Sequence, residues 1–413
     1  MRDEILNSIE NPKQLEKLYR NDKSVFKAEF NSLYPEIKSN KISEFWKERL
    51  NYETNEISWG SNYELIFIII ASCIAGLIAK LPEFTGINSV FFFQRNIAFV
   101  VLPLLTIYFA WKQNLSSKKN ITISTAIIIS LIFINILPEN NSDTTILACI
   151  HLPLFLWAVL GFTFIGNKVK DYKIRLDFLR FNGDLLVMTG IILIAGTLLT
   201  AITLGLFSII KIHIDEFYLN YIVIWGLAAS PIVGTYLVRS NPQLVNKVSP
   251  VIAKVFTPLV LITLTVYLFA IIYSGEDPYR DRDFLIIFNM LLIGVMAIIL
   301  FSVAETTKNY KSKIAIIMLL LLSIVTIIIN GIALSAIVFR ISEWGITPNR
   351  LAVLGSNLLI LINLLFVAYR LFKASKNIQE IENVEKAIAH FLPIYSLWTV
   401  FVIFIFPLIF IFD

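Results

Sequence analysis

Eleven times between residues 64 and 412 the chain stays apolar for the roughly 20 residues that a helix needs to cross a bilayer core. The runs lie near 64–82, 90–112, 120–137, 145–166, 185–210, 217–238, 251–274, 284–304, 314–339, 351–372 and 391–412. In lipid a backbone amide has no water to bond, so each run has to satisfy itself as a helix. The balance of residues agrees: 16% are charged, against about 25% in soluble domains. The expected fold is all-α, a polytopic helical membrane protein with about eleven transmembrane helices over residues 63–413.

Residues 1–62 are different. They hold ten Lys/Arg and eleven Asp/Glu, a balance that fits a solvated folded surface rather than a basic tail. Val25, Phe26, Phe30, Leu33 and Tyr34 repeat at helical spacing, as do Ile42, Phe45, Trp46 and Leu50. Asn11-Pro12 reads as a helix start, with Asn as cap and Pro at the first helical position. We expect a small helical cytoplasmic domain that caps the membrane part; docking of a protein partner is the alternative. No apolar core follows a basic start here, so the first span itself is expected to direct insertion.

Counting Lys and Arg on alternate sides of the spans sets the orientation. Eighteen fall around the loops at 112–119, 168–180, 239–254, 308–313 and 370–386. Seven fall on the other side: Lys80, Arg95, Lys211, Arg280, Arg282, Arg340 and Arg350. The N-terminus shares the richer side, which places it in the cytoplasm and the C-terminus outside. The formal charge of +5 is spread over these loops, so nucleic acid is not an expected partner and membrane lipid is.

Cys73 and Cys149 lie inside apolar runs without a CxxC, and His151, His213 and His390 are far apart in sequence. No metal and no cofactor is expected from such a pattern. Residues 168–181 and 375–388 carry one apolar face each and are expected to lie along the membrane surface as interfacial helices. Tyr172, Leu176 and Leu179 form the first face, and Ile378, Ile381, Val384 and Ile388 the second. Pro103, Pro231, Pro258 and Pro407 mark candidate kinks. No internal repeat is visible.

With this topology, Asn96, Asn135, His151, Asn289, Asn330 and Asn357 all fall in the outer half of their spans, while Asn363 is near the centre. Polar side chains in lipid turn toward partners or water, so a shared outward-facing polar cavity is expected from the six. No ionisable residue lies near the centre of a span, which speaks against a proton-coupled carrier. On the outer side, GEDPYRDRD (275–283) interleaves Glu276, Asp277, Asp281 and Asp283 with Arg280 and Arg282, and self-neutralisation is the expected outcome.

One outer loop stands out: RISEWGITPNR, from Arg340 to Arg350. Thr347 is placed to cap the next helix with Pro348 in its first turn, and Trp344 suits an interfacial belt. Glu343 is the expected ion-pair partner of Arg340 or Arg350, and a clamp between spans nine and ten is the plain reading. The stretch from Arg340 to Phe372 resembles the signature region of an uncharacterised family of bacterial polytopic membrane proteins, a domain-of-unknown-function family with an R-x-x-E-(Tyr/Trp)-G-x-T-x-x-R loop before a transmembrane helix. Arg340, Glu343, Trp344, Gly345, Thr347 and Arg350 occupy the pattern. The family brings no established activity.

A permease-like or lipid-handling protein is the leading expectation, with ligand contacts from Arg340, Glu343, Trp344, Arg350, Asn96, Asn135, His151, Asn289, Asn330 and Asn357. Arginines there would suit an anionic or amphiphilic ligand. The alternatives are a membrane enzyme acting at the outer face on a lipid-linked substrate, with acids from GEDPYRDRD or Glu343 as base, and a non-catalytic scaffold docking through residues 1–62.

Overall fold

A computed structural model describes all residues except 1, 22, 39, 52–60, 139–141, 210–212, 242–256, 267, 270–278, 280–281, 310–312 and 411–413. The chain divides into two compact units, Met1–Ser58 and Trp59–Asp413.

The first unit contains α1 (Arg2–Asn7), α2 (Pro12–Asn21), α3 (Lys23–Ile37) and α4 (Lys41–Asn51). The Asn11 side chain accepts from the Gln14 amide at 3.2 Å, and Pro12 opens α2, as the sequence predicts. Ile5, Leu15, Phe26, Phe30, Leu33 and Trp46 form a core within this unit. Phe26 meets Trp46 at 5.2 Å and Phe30 at 5.8 Å between ring centroids. Two expected members are outside it: Val25 is 42% exposed and Phe45 63%. Each precedes a buried aromatic residue, and successive helical side chains point about 100° apart, so only one of each pair can face in.

In the second unit the helices are α5 (Asn62–Thr85), α6 (Ser89–Lys112), α7 (Ser117–Ile136), α8 (Asp143–Ile165), α9 (Tyr172–Ile209), α10 (Asp215–Ser240), α11 (Thr257–Val266), α12 (Arg282–Asn309), α13 (Lys313–Trp344), α14 (Pro348–Lys376) and α15 (Ile378–Ile409). Among the described residues nine of these, α5–α10 and α13–α15, are long and apolar enough to cross a membrane. The expected seventh and eighth spans lie partly outside the described residues, where the apolar stretches Thr257–Val266 and Leu291–Ala304 are shorter. Local chemistry fixes several starts: Ser61, Asn88, Ser142 and Thr347 each accept from the amide three residues on. The large apolar side chains that remain exposed, such as Ile194 at 73%, would be a grave liability in water and are ordinary in lipid.

The early part of α9 forms a wedge between two apolar cores. Leu176 and Leu179 join a cluster built from α12, α13, α14 and α15, including Ile299, Leu322 and Leu364. Phe178 and Phe181 join another with Ala75 of α5, Phe109 of α6 and Ile232 of α10. This corrects the expectation of interfacial helices: residues 172–181 continue directly into α9, and residues 378–388 into α15. The apolar faces are as read, but they bury against neighbouring helices. Gly183 is accommodated inside α9 with the Phe301 ring packed where a side chain would project, and α15 runs on through Pro393.

Of the candidate kinks, Pro103 and Pro231 lie inside helices without interrupting them. Pro407 follows a π-helical turn, Phe401–Ile405.

Candidate functional site

The six polar residues expected in the outer half form separate groups. Asn96 of α6 and Asn135 of α7 face one another in a reciprocal amide pair: Asn96 Nδ2 donates to Asn135 Oδ1 at 2.9 Å, and Asn135 Nδ2 to Asn96 Oδ1 at 2.8 Å. His151 of α8 bonds through Nδ1 to the Leu147 carbonyl of its own helix at 2.8 Å. On α12, α13 and α14, Asn357 Nδ2 donates to Asn289 Oδ1 at 2.8 Å, and Asn330 Nδ2 to the Asn357 carbonyl at 3.1 Å. None of these bonds joins one group to another. Asn363 donates to the Tyr395 hydroxyl at 2.9 Å, linking α14 to α15.

Arg95, counted only for orientation in the sequence, is 4% exposed and anchors this end of the bundle. It donates to the carbonyls of Ile134, Leu137 and Pro138 at 2.7–2.8 Å. These belong to the end of α7, where carbonyls lack helical partners and the helix dipole favours a cation.

The loop at 340–350 follows the same logic. Gly345 has φ 77°, the left-handed conformation that ends α13. Arg350, in the first turn of α14, donates through Nη1 to the carbonyls of Trp344 at 2.8 Å and Gly345 at 2.7 Å. Arg340 and Arg350 both lie over the Trp344 ring, at 5.4 and 5.8 Å from its centroid. The expected ion pair through Glu343 is absent: its carboxylate is exposed and meets no cation among the described residues. The orphan carbonyls at the end of α13 claim the arginine in its place. In GEDPYRDRD, residues 275–278, 280 and 281 lie outside the described residues, and with them Glu276, Asp277, Arg280 and Asp281.

Three charged clusters escaped the sequence reading. Glu64, 5% exposed in the first turn of α5, accepts from the Tyr108 hydroxyl and from Lys112 Nζ at 2.8 Å. At the other end of α5, Lys80 pairs with Glu83, which also accepts from the Tyr221 hydroxyl at 2.6 Å. On the Lys-rich side, Arg180 of α9 bonds Glu385 of α15 at 3.1 Å, Asp177 at 2.8 Å and the Ala304 carbonyl at 2.8 Å. Glu64 was legible as an acid just inside an apolar run, matched by Lys112 at the same end of the next span. Arg180 and Glu385 were hidden because their segments read as lying on the membrane surface.

A cavity lies elsewhere. It is a cleft of about 440 Å³ between α7, α8, the start of α9, and α15, at the end of the bundle that carries the lysine-rich loops. Its wall is almost wholly apolar, with Phe155, Trp157, Phe162 and Phe178 facing Leu392 and Leu397. Among the described residues, Arg175 is the one charged residue of the lining. Trp157 is fixed by donating its indole N–H to Asn182 at 2.8 Å, and Gly161 leaves room for the Phe178 ring, 2.8 Å from where a β-carbon would sit. A neighbouring cleft of about 390 Å³ lies on the other flank of α7 and includes Thr106, Asn114, Asn120 and Ser124. None of the ten residues singled out in the sequence lines either cleft. Among the described residues no three His, Cys, Asp or Glu side chains gather as metal ligands would.

Comparison with protein-family models, curated proteins and solved structures returns no match for this chain.

Proposed function

We propose that the protein handles membrane lipid, accommodating an acyl chain in the apolar cleft between α7, α8, α9 and α15. The observation that carries this reading is the cleft itself. Its volume lies within the range of about 300–1,000 Å³ usual for small-molecule sites. Aromatic and aliphatic side chains line it in a bundle whose outward surfaces suit lipid, so an acyl chain is the ligand its wall favours over a polar solute. A permease for a polar solute draws less support, because Asn96 and Asn135, and likewise Asn357 and Asn289, spend side-chain hydrogen bonds on one another.

The finer topology belongs to the same proposal: eleven crossings in a bacterial plasma membrane, the N-terminal unit in the cytoplasm and Asp413 outside. The eighteen-to-seven bias in Lys and Arg supports the sidedness, and the resemblance around Arg340–Arg350 supports a bacterial setting. Labelling of a cysteine placed at Asp413 by a membrane-impermeant reagent on intact cells is the expected result; protection there contradicts it.

The function is tested by filling the cleft. Ala126 and Ala158 line it and are half-buried, so Ala126→Trp and Ala158→Trp are expected to occupy it without disturbing the core. Mass spectrometry of the intact protein released from mild detergent should show retained lipid on the parent and loss of it in both variants. Equal retention in folded variants contradicts the proposal.

A further inference from the structure

We infer that the cleft selects an anionic glycerophospholipid, whose acyl chain lies between α8 and α15 while its phosphate sits at the basic rim. This rests on the lipid-handling reading and adds the headgroup class. The rim supplies the charge. Arg175 lines the cleft and donates one N–H from Nη1 to the Ala389 carbonyl at 3.1 Å and one from Nη2 to the Val169 carbonyl at 2.7 Å. A guanidinium carries five N–H groups in a fixed fork, so donors remain for phosphate oxygens after both carbonyls are served. Val169 also lines the cleft, and the exposed Lys168 and Lys170 flank it in the chain. Lys119 donates to the Gly166 carbonyl at 2.8 Å and lies 5.7 Å from the centroid of Phe162, a lining residue.

Against these four cations the same loop sets one carboxylate, Asp171, already accepting from the Lys173 amide at 2.9 Å. From α15, Glu382 and Glu385 also act on Tyr172 at this end, but Arg180 bonds Glu385 and Lys386 lies over the Tyr172 ring, so the rim stays net positive beside a wall with almost no polar atoms. That pairing fits a ligand with one long apolar part and one anionic end. A zwitterionic headgroup would bring its own ammonium to the same lysines and lose most of the attraction. Basic residues near a membrane surface are each worth about 1 kcal/mol toward anionic lipid, roughly a fivefold preference per charge.

The test uses the full chain in vesicles made from equal parts of phosphatidylglycerol and phosphatidylcholine, one or the other carrying a photoreactive diazirine on the same acyl chain. Crosslinks are mapped by mass spectrometry on residues 155–162 and 392–400, with the exposed α5 residues Ile69 and Ile70 as a reference for bulk lipid. The expected result is cleft labelling at least about fivefold stronger from phosphatidylglycerol than from phosphatidylcholine, with no such bias at the reference. The double variant Lys168→Gln/Lys170→Gln, on an exposed loop, should cut that ratio several-fold, and Arg175→Lys should lower it with the fold retained. Equal cleft labelling by both lipids overturns the headgroup selection and leaves the lipid-handling reading standing. Cleft labelling no stronger than the reference from either lipid overturns both.

Discussion

Arg350 closes the end of the helix that ends at Trp344: its guanidinium holds the Trp344 carbonyl at 2.8 Å while its charge lies over the Trp344 ring. One side chain thus joins α13 to α14. Removing it strands two carbonyls at a helix terminus, and Arg350→Ala is expected to cost about 1–2 kcal/mol in detergent-mixed-micelle unfolding. Glu343→Gln, by contrast, should change stability by less than about 0.5 kcal/mol, since its carboxylate serves no described cation. The reverse order would restore the ion pair expected from sequence.

The Asn96–Asn135 pair makes its prediction through coupling. Each single Asn→Ala leaves the opposite amide without its partner across the helix interface, so the double variant should be less damaging than the two singles added. A double-mutant cycle should return a coupling on the order of 0.6–1.7 kcal/mol. Strict additivity would mean that the amides act independently.

Close helix approach predicts a third result. A β-carbon on Gly76 would fall 2.5 Å from the Trp225 ring, and one on Gly355 would strike the Trp398 ring, whereas Gly190 has nothing within 4 Å. Gly76→Ala and Gly355→Ala are expected to destabilise by about 1–3 kcal/mol through overpacking. Gly190→Ala should be neutral or slightly stabilising, because alanine favours the helix. Thermal melts of the three purified variants give the comparison.

In the N-terminal unit, hydrogen bonding from Arg20 holds the Glu16 carboxyl below the usual carboxylate range; burial opposes this, and the charge of Arg49 adds to it. A carboxyl with a lowered folded-state pKa stabilises the fold fully above its unfolded value of about 4.5, and the contribution is lost as pH falls through the folded value. Amide protection factors across α2 and α4 in the full-length protein should therefore fall on acidification below pH ~4.5. Glu16→Gln should flatten that dependence, and an unchanged dependence in the variant would assign it to other carboxylates.

Much of this architecture was legible because lipid imposes a simple rule on long apolar runs. The starts at Asn11 and Thr347 follow from side chains that accept the first free amides. The apolar faces of residues 172–179 and 378–388 were readable too, but not what they faced. Amphipathic periodicity is the same for a helix lying on a membrane and for one joined to a span and packed against neighbours. The asparagines were placed in sequence by expected depth alone, which is one coordinate of three. Their rotation about each helix axis decided that Asn96 meets Asn135 and that Asn357 meets Asn289. The cleft was invisible for a related reason: Thr122, Trp157, Arg175 and Ser396 are scattered along the sequence and share no motif.

The most direct test of the account is a density map of the protein purified with its native lipid. The account predicts continuous acyl-chain density running through the cleft between Trp157 and Ser396, with its polar end toward Arg175. A cleft closed by its own side chains, or one holding ordered water and no chain-like density, would contradict it.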